Sequence, residues 1–372
     1  MLVNKQIGAA AAAVRPESSR RVVATVVLLP ALAGLLLAGC SAQPAQPAGP
    51  AQPSATASAP TESKTLTVIT HDSFALADAT IAAFKTSSGY DVQFVAPGDA
   101  GTVVNQLILT KDAPLGDVVF GIDNTFAGRA LNAGVLAPYS ASTLPADAAK
   151  LAADDKSSLT PIDYGDVCLN ADTAWFKAKS LAVPETLDDL LKPEYKGLLV
   201  VSNPASSSPG LAFLAATVGA KGEGYLDYWT ALKANGVKVV KGWTEAYTVE
   251  FSGSSGKGDR PLVLSYASSP AYEPATEALT RTCFRQVEYA GVIAGAQNEV
   301  GARKFIDFLL TDEVQKQIPE TMYMYPVNSA VGLPKDWQEH AAAVAAPIEV
   351  PVADIAAKRD EWIKAWTATV IG

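Results

Sequence analysis

Aromatic rings set in short polar loops are the residues of this chain best placed to do chemistry. Lys241-Gly242-Trp243-Thr244-Glu245-Ala246-Tyr247 is one such loop, Ser265-Tyr266-Ala267-Ser268-Ser269-Pro270-Ala271-Tyr272 a second, and Tyr323-Met324-Tyr325-Pro326 a third. A single Trp or Tyr is more often a core residue than a contact. Three loops of this kind, each at an element end beside Gly, Ser or Pro, point instead to flat faces offered to a planar cation. Each cation–π contact contributes roughly 0.5–2 kcal/mol. Ser206-Ser207-Ser208-Pro209-Gly210 precedes an apolar run and reads as a helix start. Its hydroxyls and free N–H groups suit an anion or a hydroxyl tail, although a plain serine cap fits the pattern equally well.

Enzyme signatures are mostly missing. His71 and His340 are the only histidines, so a two-histidine zinc site has almost nothing to build from. There is no Gly-x-Ser-x-Gly elbow, no Gly-x-x-x-x-Gly-Lys-Ser/Thr phosphate loop and no Cys-x-x-Cys. This lowers the expectation of catalysis without excluding it. The formal charge is −9, and an acidic chain argues against nucleic acid, whose binders need a basic footprint.

The elements that must position these loops read as an α/β fold. Leu66–Thr70, Val92–Val95 and Asp117–Gly121 are apolar strand runs. Between them lie a helical face of Phe74, Ala77, Ile81 and Phe84 closed by Gly89, and a helical stretch at Thr102–Leu109. Strand–helix–strand–helix–strand predicts a parallel sheet with helices on both faces. Ligands of such sheets sit beyond the carboxyl ends of the strands, at Thr70–Ser73, Ala96–Gly101 and Gly121–Asn124. Further strands are predicted at Leu198–Val201, Val237–Val240, Leu262–Tyr266 and Gln286–Ile293, and helices at Leu211–Val218, Val300–Leu310, Glu313–Ile318 and 352–369.

Ahead of this body, Arg20 and Arg21 precede an apolar run from Val22 to Leu37 that ends in Leu37-Ala38-Gly39-Cys40. That run contains Pro30 and is short of the roughly 20 residues a membrane span needs. It is the signal-peptide pattern, and the final string resembles a bacterial lipobox. Residues 1–39 are expected to be a lipoprotein signal peptide, Cys40 the lipidated residue, and 40–63 a Pro/Ala/Ser-rich tether. Export is expected to leave the folded body outside the cell membrane, anchored to it. Cys168 and Cys283 then remain as an even pair, with one disulfide expected and two buried thiols as the alternative.

Eight strings, in order, resemble the thiamine-binding periplasmic protein family. They are Thr70-His71-Asp72-Ser73-Phe74, Gly121-Ile122-Asp123-Asn124, Pro161-Ile162-Asp163-Tyr164-Gly165, Ser208-Pro209-Gly210-Leu211, Lys241 to Tyr247, Ser265-Tyr266, Ser269-Pro270-Ala271-Tyr272 and Met324-Tyr325-Pro326-Val327. The likeness runs from about residue 65 to 370. It implies a type II periplasmic-binding-protein fold of two α/β lobes with a two-segment hinge. The crossings are expected near Ile162–Asn170 and Cys283–Tyr289, which would set Cys168 beside Cys283. Residues 64–165 and 284–330 are expected to form one lobe, and 166–283 and 331–372 the other.

The resemblance implies thiamine or a thiamine phosphate as the transported ligand, no cofactor, an ABC permease as partner and a monomeric state. It implies a ligand-binding set of His71, Asp72, Asp99, Gly101, Asp123, Ser207, Ser208, Trp243, Tyr247, Tyr266, Ser268, Tyr272 and Tyr323. Tyr323 stands where the family commonly has Trp, and His71 where it commonly has Tyr. A histidine there titrates near pH 6.5, giving pH-dependent affinity. Ferric ion, a polyamine or another cation are rival cargoes. Iron-binding relatives use adjacent tyrosines, whereas Met324 separates Tyr323 from Tyr325. A thiaminase-like enzyme would need Cys168 or Cys283 as a free thiolate.

Overall fold

The computed structural model describes residues 63–372 except 343. The expected signal peptide, Cys40 and the tether up to residue 62 lie outside the described residues. In chain order the strands are β1 (Thr65–His71), β2 (Asp91–Gly98), β3 (Val118–Asp123), β4 (Leu136–Ala137), β5 (Thr160–Asp172), β6 (Leu199–Ser202), β7 (Lys238–Val240), β8 (Leu262–Tyr266), β9 (Thr276–Ile293) and β10 (Tyr325–Pro326). The helices are α1 (Asp78–Ser88), α2 (Ala100–Leu109), α3 (Ala127–Ala133), α4 (Thr173–Lys179), α5 (Ser208–Lys221), α6 (Tyr225–Ala234), α7 (Trp243–Glu245), α8 (Glu299–Leu309), α9 (Asp312–Gln315), α10 (Ile318–Met322), α11 (Lys335–His340) and α12 (Val352–Val370).

Apolar runs become the inner strands because both their faces are covered. Every residue of β3, VVFGID, is buried, as is every residue of β8, LVLSY. Helix α8 turns Gly301, Ala302, Phe305, Ile306 and Leu309 inward, the spacing of one helical face. Gly89 closes α1 in the left-handed region, φ +77°, where a residue with a Cβ would be strained. Phe74 was expected on the α1 face, but α1 starts only at Asp78. Phe74 lies in the loop before it, packing on Phe94 and Phe120 at ring-centre distances of 5.3 and 4.9 Å.

The strands form a sheet in the order β2-β1-β3-β9-β5-β8-β6-β7, with β10 on β5 and β4 on β9. The pairs β1/β2, β1/β3, β6/β7 and β6/β8 are parallel. Strands β5 and β9 run antiparallel to each other and to their neighbours. The single parallel sheet predicted from strand–helix alternation is therefore two parallel groups joined by an antiparallel pair. These are two α/β lobes with a two-segment hinge. Only the apolar half of β9 was predicted; its first half, TEALTRTCFR, is too polar to read as a buried strand.

Cys168 of β5 and Cys283 of β9 are bonded, with Cα atoms 4.2 Å apart, and both are fully buried. Helix α12 lies in the stretch 331–372, expected in the second lobe, and packs on elements of both groups. At about 28 Å long, it packs against α6 through Trp366 and Trp229, ring centres 5.4 Å apart. Towards the other lobe it lays Arg359 over the Phe126 ring at 4.7 Å and Ala356 against Gly128 of α3.

Candidate functional site

The carboxyl ends of β1, β2 and β3 face the starts of α5 and α7 across the gap between the lobes, as strand-end loops of open α/β sheets do. Backbone and side chains bridge this gap. Gly101 N–H donates to Ser206 C=O at 3.0 Å. Ser73 Oγ meets Thr244 Oγ1 at 3.1 Å, and Thr244 Oγ1 donates to Asp72 Oδ1 at 3.3 Å. Asp99 ties three segments together. Its Oδ1 accepts from Ala100 N–H (2.7 Å) and Ser208 N–H (3.2 Å), and its Oδ2 from Trp243 N–H (3.1 Å). The start of α5, expected to receive an anionic or hydroxyl tail, thus already faces a carboxylate of the protein itself. Gly101 is required by this approach, because a Cβ there would lie 2.7 Å from Ala205 C=O.

Between the lobes lies a narrow cleft of about 20 Å³, well below the several hundred Å³ of a small-molecule site, so a ligand enters it only when the lobes part. His71, Ser73, Asp99, Ser208, Trp243, Tyr266, Glu288 and Met324 line it. An outer recess of about 310 Å³ is bordered by Asp72, Asp99, Lys241 and Thr244.

The rings form one cluster. Trp243 is backed by Tyr247, nearly parallel at 5.1 Å, and held by Nε1–H donating to Ser265 Oγ at 2.9 Å. Tyr266 and Tyr323 stand tilted to it at 6.2 and 6.0 Å. Tyr323 takes the left-handed conformation, φ +62°, uncommon for a residue with a Cβ. Ser268 Oγ donates to its C=O at 2.6 Å and fixes that turn. Tyr272 donates its hydroxyl to Pro319 C=O. The rings of Tyr272 and Tyr323, both in the expected ligand-binding set, have centres 3.9 Å apart. A planar ligand between them would need two stacking gaps of roughly 3.5 Å each. In this arrangement Trp243 and Tyr266 are the aromatic rings of the cluster that line the cleft.

Beneath the rings is a layer of buried acids. Glu288 on β9 lies directly opposite Asp123 on β3 and Asp163 on β5. Asp123 and Asp163 are 0% exposed and Glu288 5%. Asp123 Oδ1 accepts from Thr125 N–H, Thr125 Oγ1–H and Phe126 N–H, closing the β3–α3 turn. Burial nevertheless pushes its pKa up to about 6, against the pull of the Thr125 hydroxyl and N–H. Glu288 accepts from Gln286 Nε2–H at 2.9 Å, and its Oε2 lies 3.4 Å from His71 Nε2. Ser73 N–H donates to His71 Nδ1 at 3.1 Å, so this ring carries its proton on Nε2, towards Glu288. Burial opposes a charged His71, but the Glu288 carboxylate, helped by Asp99 and Asp72, outweighs it and raises the pKa. Burial also raises Asp99, against the Ser207 hydroxyl, His71 and backbone N–H groups that hold it down.

Most of the expected residues thus meet at one place. His71, Asp99, Ser208, Trp243 and Tyr266 line the cleft. Tyr247, Ser268, Tyr272 and Tyr323 build the ring cluster behind it. Asp123 lies in the acidic floor, Asp72 at the mouth, and Gly101 at the lobe contact. Ser207 caps α5, accepting from Gly210 N–H at 3.4 Å. Sequence reasoning missed Glu288, Gln286 and Asp163. Polar residues at alternate positions of the apolar run Gln286–Ile293 were the available signal. Among the described residues, no three of His, Cys, Asp and Glu are placed to hold a metal ion.

Residues 113–346 match the family described as bacterial extracellular solute-binding protein. The chain is 31% identical over 318 residues to the thiamine-binding periplasmic protein of Escherichia coli (strain K12), covering 82% of this chain and 93% of that protein. It is 32% identical over 319 residues to the protein of the same name from Salmonella typhimurium, with the same coverage. A solved periplasmic thiamin binding protein superposes with a TM-score of 0.72 at 29% identity, covering 82% of this chain and 96% of that one. The protein belongs to the thiamine-binding periplasmic proteins, within the bacterial extracellular solute-binding proteins.

Proposed function

We propose that this protein captures thiamine in the cleft between its lobes and delivers it to the permease of an ABC importer. The observation that carries this reading is a ring cluster around Trp243 set over four buried carboxylates, Asp99, Asp123, Asp163 and Glu288. The thiazolium of thiamine is a permanent cation and its aminopyrimidine a flat hydrogen-bonding ring. Rings supply faces for both, and the carboxylates compensate the charge. The relatives named for thiamine binding support the same cargo. Ser207 and Ser208 at the start of α5 are assigned to the hydroxyl end, with thiamine phosphates as variants of the same cargo. A ligand touching both lobes favours their closure, because only the closed form makes both sets of contacts.

Three finer assignments accompany this reading. The protein acts without catalysis, since both cysteines that a thiaminase could use are joined to each other. Residues 64–165 with 284–330 form one lobe and 166–283 the other, with α12 spanning both. The mature chain is a monomer tethered outside the cell by lipidated Cys40. Among the described residues no helix is long and apolar enough to cross a membrane.

Titrating the purified protein with thiamine while following tryptophan fluorescence tests the cargo. Quenching should saturate at one equivalent, and the thiamine recovered should be chemically intact. Absence of saturable binding would overturn the assignment, and cleaved thiamine would overturn the non-catalytic role. For the anchor, Cys40→Ser should move the protein from the membrane fraction to the soluble one; retention on the membrane would refute it.

A further inference from the structure

Asp163 is fully buried, and neither of its carboxyl oxygens has a hydrogen-bond donor. Its cross-strand partner is another acid, Glu288. An ionised carboxylate buried without donors is costly enough that the group takes up a proton instead. The Asp163 carboxyl then becomes a donor to Glu288, which satisfies an otherwise orphaned atom. Burial first, and then Glu288, raise the Asp163 pKa well above the ordinary carboxylate range.

The charged and titratable groups around this pair come from several elements. His71 of β1 reaches Glu288 with Nε2, and Asp123 of β3 faces Glu288 from the other side. Asp99 at the start of α2 and Tyr266 of β8 line the same cleft, and Asp72 borders its mouth. Arg359 of α12 lies over Phe126, behind Asp123. Gln286 Oε1 and Asp123 Oδ2 are also buried without a partner. The floor therefore holds more negative charge than its neighbours compensate.

We propose that Asp163 and Glu288 form the charge-recognising floor of the binding site, holding one shared proton that a cationic ligand displaces into solvent. This rests on the thiamine reading above and adds to it a proton exchange. A fixed positive charge beside Glu288 stabilises the doubly ionised pair, so the O–H bond of one carboxyl breaks and the proton passes to the buffer. No bond of the ligand changes. Proton release on binding means that affinity tightens as pH rises, by up to roughly tenfold per pH unit within the titration window.

The test is isothermal titration of the whole protein with thiamine between pH 5.5 and 8, in phosphate and in Tris, whose ionisation heats differ. The expected result is a binding heat that depends on the buffer, with the sign of proton release, and a dissociation constant that falls with pH. Asp163→Asn keeps the size of the side chain and can donate permanently to Glu288, so it should abolish both effects and bind thiamine more weakly than the wild type at pH 8. Should that variant not fold, Glu288→Gln carries the same comparison. Thiamine binding with no buffer dependence and a flat pH profile would overturn the proposal while leaving the cargo intact. Release that persists undiminished in Asp163→Asn would also overturn it, and would point to His71 as the source. No thiamine binding by the wild-type protein at any pH would instead overturn the cargo reading itself.

Discussion

Trp243 lines the cleft with Tyr247 stacked behind it and its indole N–H held by Ser265, so replacing it removes a ring whose placement is fixed from two sides. Trp243→Ala should weaken thiamine binding by about 1–2 kcal/mol, roughly 5- to 30-fold, by titration calorimetry. Asp123 supplies a test of the acidic floor. Its pKa in the folded protein, about 6, lies above that of an unfolded carboxylate. The stability it contributes is therefore full below about pH 4 and is lost as pH rises to about 6. Asp123→Asn keeps an oxygen to accept from Thr125 and Phe126, and should flatten the fall in unfolding free energy across that window by about 2–3 kcal/mol. Urea melts at pH 4 and pH 7 decide this; an unchanged slope would show that Asp123 stays ionised throughout. The ring loops were legible in the sequence because Trp and Tyr beside Gly, Ser and Pro are locally unusual. The Asp163–Glu288 pair was not, since it exists only through strand register, and 125 positions of chain separate the two acids.

Among the elements, β5 and β9 carry both the hinge and its covalent tie. The Cys168–Cys283 bond spans a sequence separation of 115 residues. Replacing both cysteines by serine should lower the unfolding free energy by about 2–5 kcal/mol, measured by denaturant titration. Helix α2 enters the lobe contact through Gly101, in its first turn. Gly101→Ala suits a helix, but it forces the segments at Ala205 and Ser206 apart, so the melting temperature should not rise. Its Cβ meets Ala205 C=O, a backbone atom with little room to move, so thiamine affinity should fall at least tenfold. Unchanged affinity would show that the lobes do not approach this closely when loaded. Short buried strands with apolar runs, such as β1 and β8, were readable because burial on both faces leaves a continuous signal. Strand β5 and the first half of β9 were not, because polar residues that face the cleft or line the hinge break that pattern.

For the molecule as a whole, the question is what holds the lobes together. Tyr323 packs its ring against Trp243, Tyr247 and Tyr272, and at the cleft mouth the polar contacts are Gly101 with Ser206, Ser73 and Asp72 with Thr244, and Asp99 with Ser208 and Trp243. Only the last involves a buried charge, and hydrogen bonds to charged groups are the stronger kind, contributing roughly 1.5–3 kcal/mol each. Asp99 therefore acts as the latch across the cleft. Asp99→Ala should widen the ligand-free protein, seen as a larger radius of gyration by X-ray scattering, and should weaken thiamine binding through the added cost of closure. Asp99→Asn makes the argument sharper. Its amide oxygen still accepts from Ala100 and Ser208, but its NH₂ group confronts the Trp243 N–H, so its scattering profile should fall between wild type and Asp99→Ala. If both variants scatter like wild type while binding weakens, Asp99 touches the ligand directly, and closure is driven by cargo alone.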